Sequence, residues 1–183
     1  MWKHMEHKEI LAFWFEKTSP EQWFKKSGGV DRVITEQFIG IHATATRCEL
    51  YPWREEPLGR LAEIIVLDQF SRNIHRGRPA AFASDPLALA LAQEAIAANA
   101  NRTFSTSQKL FLFLPFMHSE SHAIHEVAVE LFNQPGMELN LEHEHRHKAV
   151  IDRFGRYPHR NKILGRKSTA EELEFLKRPN SSF

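Results

Sequence analysis

Between Arg153 and Lys167 the chain carries six Lys or Arg residues and no acid, in the run Arg153-Phe154-Gly155-Arg156-Tyr157-Pro158-His159-Arg160-Asn161-Lys162-Ile163-Leu164-Gly165-Arg166-Lys167. Two glycines and a proline give this segment a shaped backbone rather than a loose one. Guanidinium groups suit bidentate binding of carboxylate or phosphate. Arg156 and Arg160, with Asn161 and the imidazole of His159, are therefore candidates to hold an anion. The same arginines can equally cap helix ends and pair with acids such as Asp68 and Glu120, and one loop can divide its arginines between both roles.

Three other places put polar residues on faces that should be apolar. In a helix expected over residues 58–73, Leu61, Ile64 and Ile65 define the buried stripe, and further helical steps reach Asp68 and then Arg72. A carboxylate four residues ahead of a guanidinium is the favourable order for a helix ion pair. On a core-facing stripe the pair must be partly buried, so its spare oxygens and N–H groups need partners. Gln69 and Asn73 stand beside it. Arg72 and Asn73 either tie helices together or line a ligand cleft. Removing Asp68 would strand the guanidinium at a cost of ~3–5 kcal/mol.

In Pro115-Phe116-Met117-His118-Ser119-Glu120, Pro115 is expected to end the Phe-rich helix before it. Glu120 is then expected in the first turn of the next helix, on a stripe with Ile124, Val127 and Leu131. It serves there as an acid on the helix dipole, or with His118 as a pair that moves protons. His147 falls on one stripe with Val150, Ile151 and Phe154, as a satisfied core histidine or a ligand group.

His118 and His122, and His143 and His147, are spaced to put two imidazoles on one helix face. The His-Glu-x-x-His pattern is absent, and the expectation is no metal and no cofactor. His4, His7, His122, His125, His143 and His145 read as solvated surface residues. No phosphate-binding glycine loop and no Gly-x-Ser-x-Gly elbow occurs.

The elements that must position these groups are helices. Apolar residues recur at helical spacing almost throughout, and strand alternation is nearly absent. Ser19-Pro20-Glu21-Gln22 and Ser168-Thr169-Ala170-Glu171 read as capping boxes, and Asp85-Pro86 as a helix start. Eight or nine helices with short connections predict an all-α single domain over residues 1–183, packed as antiparallel hairpins. With 14 Phe and 4 Trp the chain can fill an aromatic core. Its net charge of +1 gives no general pull toward nucleic acid or an anionic membrane, and neither is expected as a partner. The polar N-terminus and the single Cys48, expected in the core, point to a cytoplasmic setting.

Leu67-Asp68-Gln69-Phe70-Ser71-Arg72-Asn73, Ala81-Phe82-Ala83-Ser84-Asp85-Pro86, Leu114-Pro115-Phe116-Met117-His118-Ser119-Glu120 and Arg153–Asn161 together resemble the signature segments of a bacterial family known as domain of unknown function 924. Phe13-Trp14-Phe15, Trp23-Phe24 and the tail Ser181-Ser182-Phe183 fit the same family. The resemblance implies a tetratricopeptide-like right-handed array of helix hairpins and no established activity. His118, Glu120, His147, Arg156, His159, Arg160 and Asn161 fall on family motif positions.

Two functional expectations follow. In the first, an anionic small molecule, phosphate or carboxylate, binds at Arg72, Asn73, His147, Arg156, Arg160 and Asn161, with His118, Glu120 and His159 as the groups able to move protons; catalysis stays open. In the second, the chain is a helical-repeat module for a protein or peptide partner, and the polar motifs hold its helices in register.

Overall fold

The computed structural model describes residues 5–179 and 181 of the chain; His4 and the tail residues Ser182 and Phe183, invoked above, lie outside them. Every regular element among the described residues is helical, as the periodicity requires. None of these helices is long and apolar enough to cross a membrane. Contacts divide the chain into two compact units. The first comprises residues 1–76 with 80–115, the second residues 77–79 with 116–183.

The first unit opens with α1 (His7–Ala12), which widens directly into a π-helical turn over Phe13–Lys17. Two side chains take up carbonyls of that wide turn. Thr18 Oγ1 donates to the Phe13 carbonyl (3.0 Å), and the Trp23 indole to that of Trp14 (2.8 Å). Helix α2 (Pro20–Phe24) starts at the Ser19–Gln22 capping box read from the sequence. Helix α3 (Gly28–Thr46), capped by Ser27, buries Ile34, Phe38, Ile41 and Ala45 at helical spacing. Cys48 follows in the left-handed region (φ 59°) and is exposed, contrary to the expectation of a core residue.

A 3₁₀ turn (Tyr51–Glu55) leads into α4 (Pro57–Ile65), which passes into a second π turn (Val66–Phe70) and then α5 (Ser71–Ile74). Gly59 is dictated by close approach: a Cβ there would lie 2.0 Å from the Trp53 carbonyl oxygen. Aromatic side chains from both π turns meet. Phe70 has Phe38 at 5.1 Å, Trp14 at 5.7 Å and Phe13 at 6.1 Å. Helix α6 (Asp85–Ala97) packs on α4 and buries Ala88, Ala92 and Ala95, a small-residue face that lets the backbones come near.

Helix α7 (Thr106–Met117) carries Pro115 in its interior, and the boundary between the units falls there. The proline was expected to end this helix. It removes a single backbone donor, and seven residues of α7 from Leu110 to Leu114, with Phe116 and Met117, are buried, so packing overrides the local penalty.

In the second unit α8 (His122–Phe132) packs against α9 (Glu138–Phe154). Gly155 (φ 66°) ends α9 with a left-handed cap. The basic loop contains one 3₁₀ turn (Pro158–Arg160), and α10 (Ala170–Leu176) closes the unit from a capping box formed by Thr169 and Glu172.

Candidate functional site

Most of the charged residues singled out in the sequence have carboxylate partners. In the first unit the Arg72 guanidinium meets Asp68 (3.1 Å) and forks onto Asp85 (2.9 and 3.0 Å). Asp68 is almost fully buried, and Gln69 donates to its other oxygen (2.6 Å). Asn73 donates to Asp31 (2.8 Å), which also receives Arg76. Both Arg72 and Asn73 thus join helices inside the first unit. Arg54 forks onto the fully buried Glu63 with two 2.7 Å bonds.

In the second unit Arg153, Arg156 and Arg166 of the basic loop meet acids among the described residues. Arg153 holds Glu171, and Arg156 forks onto Glu172 (2.6 and 2.8 Å). The Arg156 hydrogen bonds bring the Glu172 carboxyl down to about 2. Arg166 forks onto Glu120 (2.6 and 2.9 Å) and bonds Asn161 Oδ1 (2.9 Å). Asn161 in turn donates to Ser168 (3.0 Å).

Glu120 lies before α8 rather than in its first turn, and it accepts the backbone N–H of Tyr157 (2.8 Å). Burial alone would raise its carboxyl. The bonds from Arg166 and the Tyr157 amide outweigh that and hold it below the usual range, so Glu120 is an ionised anchor for the loop. The apolar face of α8 is His125, Ala128 and Phe132. That is one residue off the expected stripe of Ile124, Val127 and Leu131, and Val127 is exposed.

Tyr157 is the centre of what remains. It is buried, and its hydroxyl donates to the Met117 carbonyl (2.5 Å). The Arg160 guanidinium, itself buried, sits 4.6 Å from the ring centroid, a cation–π distance. The rings of His159, His147 and His125 lie 5.5, 5.8 and 6.3 Å from that of Tyr157.

His147 Nδ1 bonds the His143 carbonyl (2.8 Å). A carbonyl only accepts, so Nδ1 carries the proton. Burial, with the charges of His118, His125 and His143 nearby, pushes His147 down to about 3. At neutral pH it is therefore a neutral imidazole whose Nε2 is an acceptor. Burial and then the neighbouring Arg160 push His159 to about 4; Arg166 and His118 act the same way, and Glu120 opposes them. His118 is within electrostatic reach of both rings.

Sequence reasoning missed His125, Glu144 and Tyr157. His125 is fully buried, not a surface residue: its Nδ1 is 2.6 Å from the equally buried Glu144, and its Nε2 is 2.9 Å from the Ser119 carbonyl and 3.3 Å from the Tyr157 hydroxyl. Burial raises the Glu144 carboxyl, and its Oε2 meets no hydrogen-bond partner among the described residues. The signal was present in spacing. Glu144, His147 and Ile151 share a stripe on α9, and His125 lies three and seven residues before Ala128 and Phe132. His7, also expected at the surface, is buried beside Trp53 (6.1 Å). His122, His143 and His145 are exposed as expected.

Among the described residues no three His, Cys, Asp or Glu side chains converge as metal ligands. A cavity of about 760 Å³ lies in the first unit, lined by Met5, Gly40, Ile41, Thr44, Leu50 and Trp53 among others. Met5 is the first described residue, so that volume is what the described residues alone leave open.

The family model for bacterial proteins of unknown function DUF924 matches residues 10–180. The chain belongs to the DUF924 family. Its Arg72, Glu120 and basic-loop networks therefore all lie inside the matched DUF924 span. The chain is similar to a solved structure of a protein of unknown function, ATU0120 from Agrobacterium tumefaciens, at 40% identity over 93% of this chain and 96% of that one, with a TM-score of 0.89. No curated protein matches this DUF924 chain.

Proposed function

We propose that the second unit binds an anionic small molecule carrying phosphate or carboxylate, held by Arg160 with His118, His147 and His159 around it. The observation that carries this reading is the gathering of Arg160, His147 and His159 around one buried tyrosine, with His118 within electrostatic reach of both imidazoles. A guanidinium stacked on an aromatic face beside imidazole nitrogens offers the planar and single-point donors that phosphate and carboxylate oxygens accept. The chemistry open to such a site is proton transfer through imidazole nitrogen. Arg156, Asn161 and Glu120 shape the loop in this reading, while Arg72 and Asn73 belong to the first unit's own framework.

A thermal-shift screen against phosphorylated and carboxylated metabolites, run on the parent and on Arg160→Gln, tests it. A compound that raises the melting temperature of the parent and not of the variant supports the site. Equal shifts in both proteins, or none in the parent, overturn it.

A second reading, a surface for a protein or peptide partner, is favoured by the aromatic group on α2. Phe24 is 62% exposed and stacks on Phe111 (6.2 Å, 7°), beside Trp23. Substituting Phe24 by Ser and finding unchanged capture of cellular proteins would dispose of it.

A further inference from the structure

Beside the Tyr157 hydroxyl lies a pair of side chains that the proposed anion site does not use. His125 on α8 and Glu144 on α9 are both fully enclosed, and His125 Nδ1 is 2.6 Å from Glu144 Oε1. His125 Nε2 is 2.9 Å from the Ser119 carbonyl. A carbonyl only accepts, so Nε2 carries a proton. Nδ1 is then either bare, accepting from a carboxylic acid, or protonated, donating to a carboxylate. Either way one proton is shared between the two groups.

The other carboxyl oxygen separates the two cases. Glu144 Oε2 is buried and meets no hydrogen-bond donor among the described residues. A carboxylate spreads its charge over both oxygens, so an ion pair would leave negative charge on Oε2 with neither water nor an N–H to meet it. In the carboxylic acid the proton sits on Oε1, and Oε2 is a carbonyl oxygen whose isolation costs much less. Burial acts in the same direction, raising the carboxyl. The groups facing the pair do not reverse this. On α9, His145 is exposed, Lys148 is engaged by Glu126 and Asp152, and His147 is held neutral by burial. From the loop, the Tyr157 hydroxyl comes within 3.3 Å of Nε2.

The pair stands at a junction. His125 holds the Ser119 carbonyl, and the next residue, Glu120, receives the Tyr157 amide and Arg166. The Tyr157 hydroxyl donates to the Met117 carbonyl. Residues 117–120 and the start of the basic loop are thus fixed against each other around one imidazole. The tautomer of such a ring is set by the partner of its other nitrogen, which here is Glu144. A ring protonated on Nδ1 alone would turn a lone pair toward the Ser119 carbonyl and push that segment away.

We propose that Glu144 is a carboxylic acid that donates its proton to His125 Nδ1, and that this neutral pair is the positioning element of the anion site. It fixes the His125 tautomer, and through it the Ser119–Glu120 segment and the Tyr157 ring on which Arg160 is stacked. The positioning role rests on the anion site proposed above; the location of the proton does not.

Nitrogen-15 spectra of the histidine rings, taken on the unliganded full chain near neutral pH, test the proton's location without any substitution. The expected His125 signals are one protonated nitrogen, Nε2, and one bare nitrogen, Nδ1. Glu144→Gln, whose amide N–H can donate in place of the acid, should keep that pattern. Two protonated nitrogens in the parent mean an imidazolium beside a carboxylate and overturn the assignment.

Calorimetric titration with inorganic phosphate reads the positioning role. Glu144→Gln should hold the phosphate Kd within about twofold of the parent, whereas Glu144→Met, similar in size but without a donor, should weaken it about tenfold or more, the scale on which loss of an orienting partner acts. His125 in Glu144→Met should also exchange between tautomers, a change that loss of packing alone does not produce. Phosphate binding by Glu144→Met as tight as that of the parent overturns the positioning role. Should that variant fail to fold, Glu144→Gln decides: a Kd weakened about tenfold with the His125 pattern intact overturns the role equally. A parent that binds neither inorganic phosphate nor acetate overturns the anion site and the positioning role with it, and the nitrogen spectra then judge the proton's location by themselves.

Discussion

The two units treat their arginines differently. In the first, each structural guanidinium has a carboxylate of its own: Arg54 with Glu63, Arg72 with Asp68 and Asp85, Arg76 with Asp31. These pairs fasten one helix to another, and their charges cancel. In the second, Arg153, Arg156 and Arg166 repeat that pattern, whereas Arg160 lies on the face of Tyr157 among histidines. A cation balanced by a carboxylate is explained by the fold. A cation stacked on an aromatic ring beside His147 and His159, both shifted well down by burial, is placed differently, and clusters of shifted titratable groups of that kind gather at functional sites.

If this contrast is sound, breaking a first-unit pair should cost most. Glu63→Ala leaves Arg54 facing a vacated, fully buried position, and an expected loss of ~3–5 kcal/mol would appear in denaturant melts. A loss under ~1 kcal/mol would mean that the pair does not hold the unit together.

Asp68→Ala should cost less than the sequence alone suggests, ~2 kcal/mol, because Asp85 keeps its two bonds to Arg72. The double variant with Asp85→Ala should then lose more than the two single changes summed. Additive losses would show that the two acids do not share the guanidinium.

The pH dependence comes next. Burial holds His147 at about 3 against an ordinary 6.5, so between those values the unfolded chain binds more protons than the folded one. Stability then rises with pH, and acidification from neutrality to about pH 5 removes about 2 kcal/mol through His147 alone. His42, pushed to about 4 by burial and by His75, acts in the same direction. The raised Glu144 carboxyl acts in the opposite one, since the folded state keeps that proton longer. Urea melts at the two pH values should show a smaller acid loss in His147→Gln than in the parent. An equal loss would mean that the ring is hydrated.

The smallest effect is expected at the arginine on which the proposed site is built. Arg160→Gln gives up a cation–π contact with Tyr157, for an expected change of ~1 kcal/mol in denaturant melts. A loss comparable to that of Glu63→Ala would place Arg160 among the structural arginines and erase the contrast.

The fold was legible where local rules agree. Ile34, Phe38 and Ile41 announce α3 by spacing, Ser19 and Gln22 mark the start of α2, and Asp68 four residues before Arg72 foretells a buried pair. What was hidden depends on distant chain. Glu120 reads as a helix-start acid, yet it binds an amide 37 residues on and a guanidinium 46 residues on, and nothing within its own turn signals either. Asp85 as a second partner of Arg72 was hidden for the same reason. Pro115 misled because its local penalty is fixed, whereas the packing that offsets it comes from elsewhere in the sequence. His125 was misplaced because Ile124 and Val127 suggested a neighbouring stripe; burial of an imidazole is tolerable only with a carboxylate such as Glu144 opposite, and α9 supplies it from nineteen residues away.

The π turn at Val66–Phe70 gives this chain an unusual tolerance of length. It passes five residues through about the rotation that four make in an α-helix, so loss of one residue there would let the backbone relax to ordinary α-helix while the side chains from Ser71 onward keep their bearings around the axis. Arg72 would still face Asp85, Asn73 would face Asp31, and the Ser71 hydroxyl would face His42. In this stretch the identities of the residues carry more information than their count, so a sequence one residue shorter can still keep every one of these pairings.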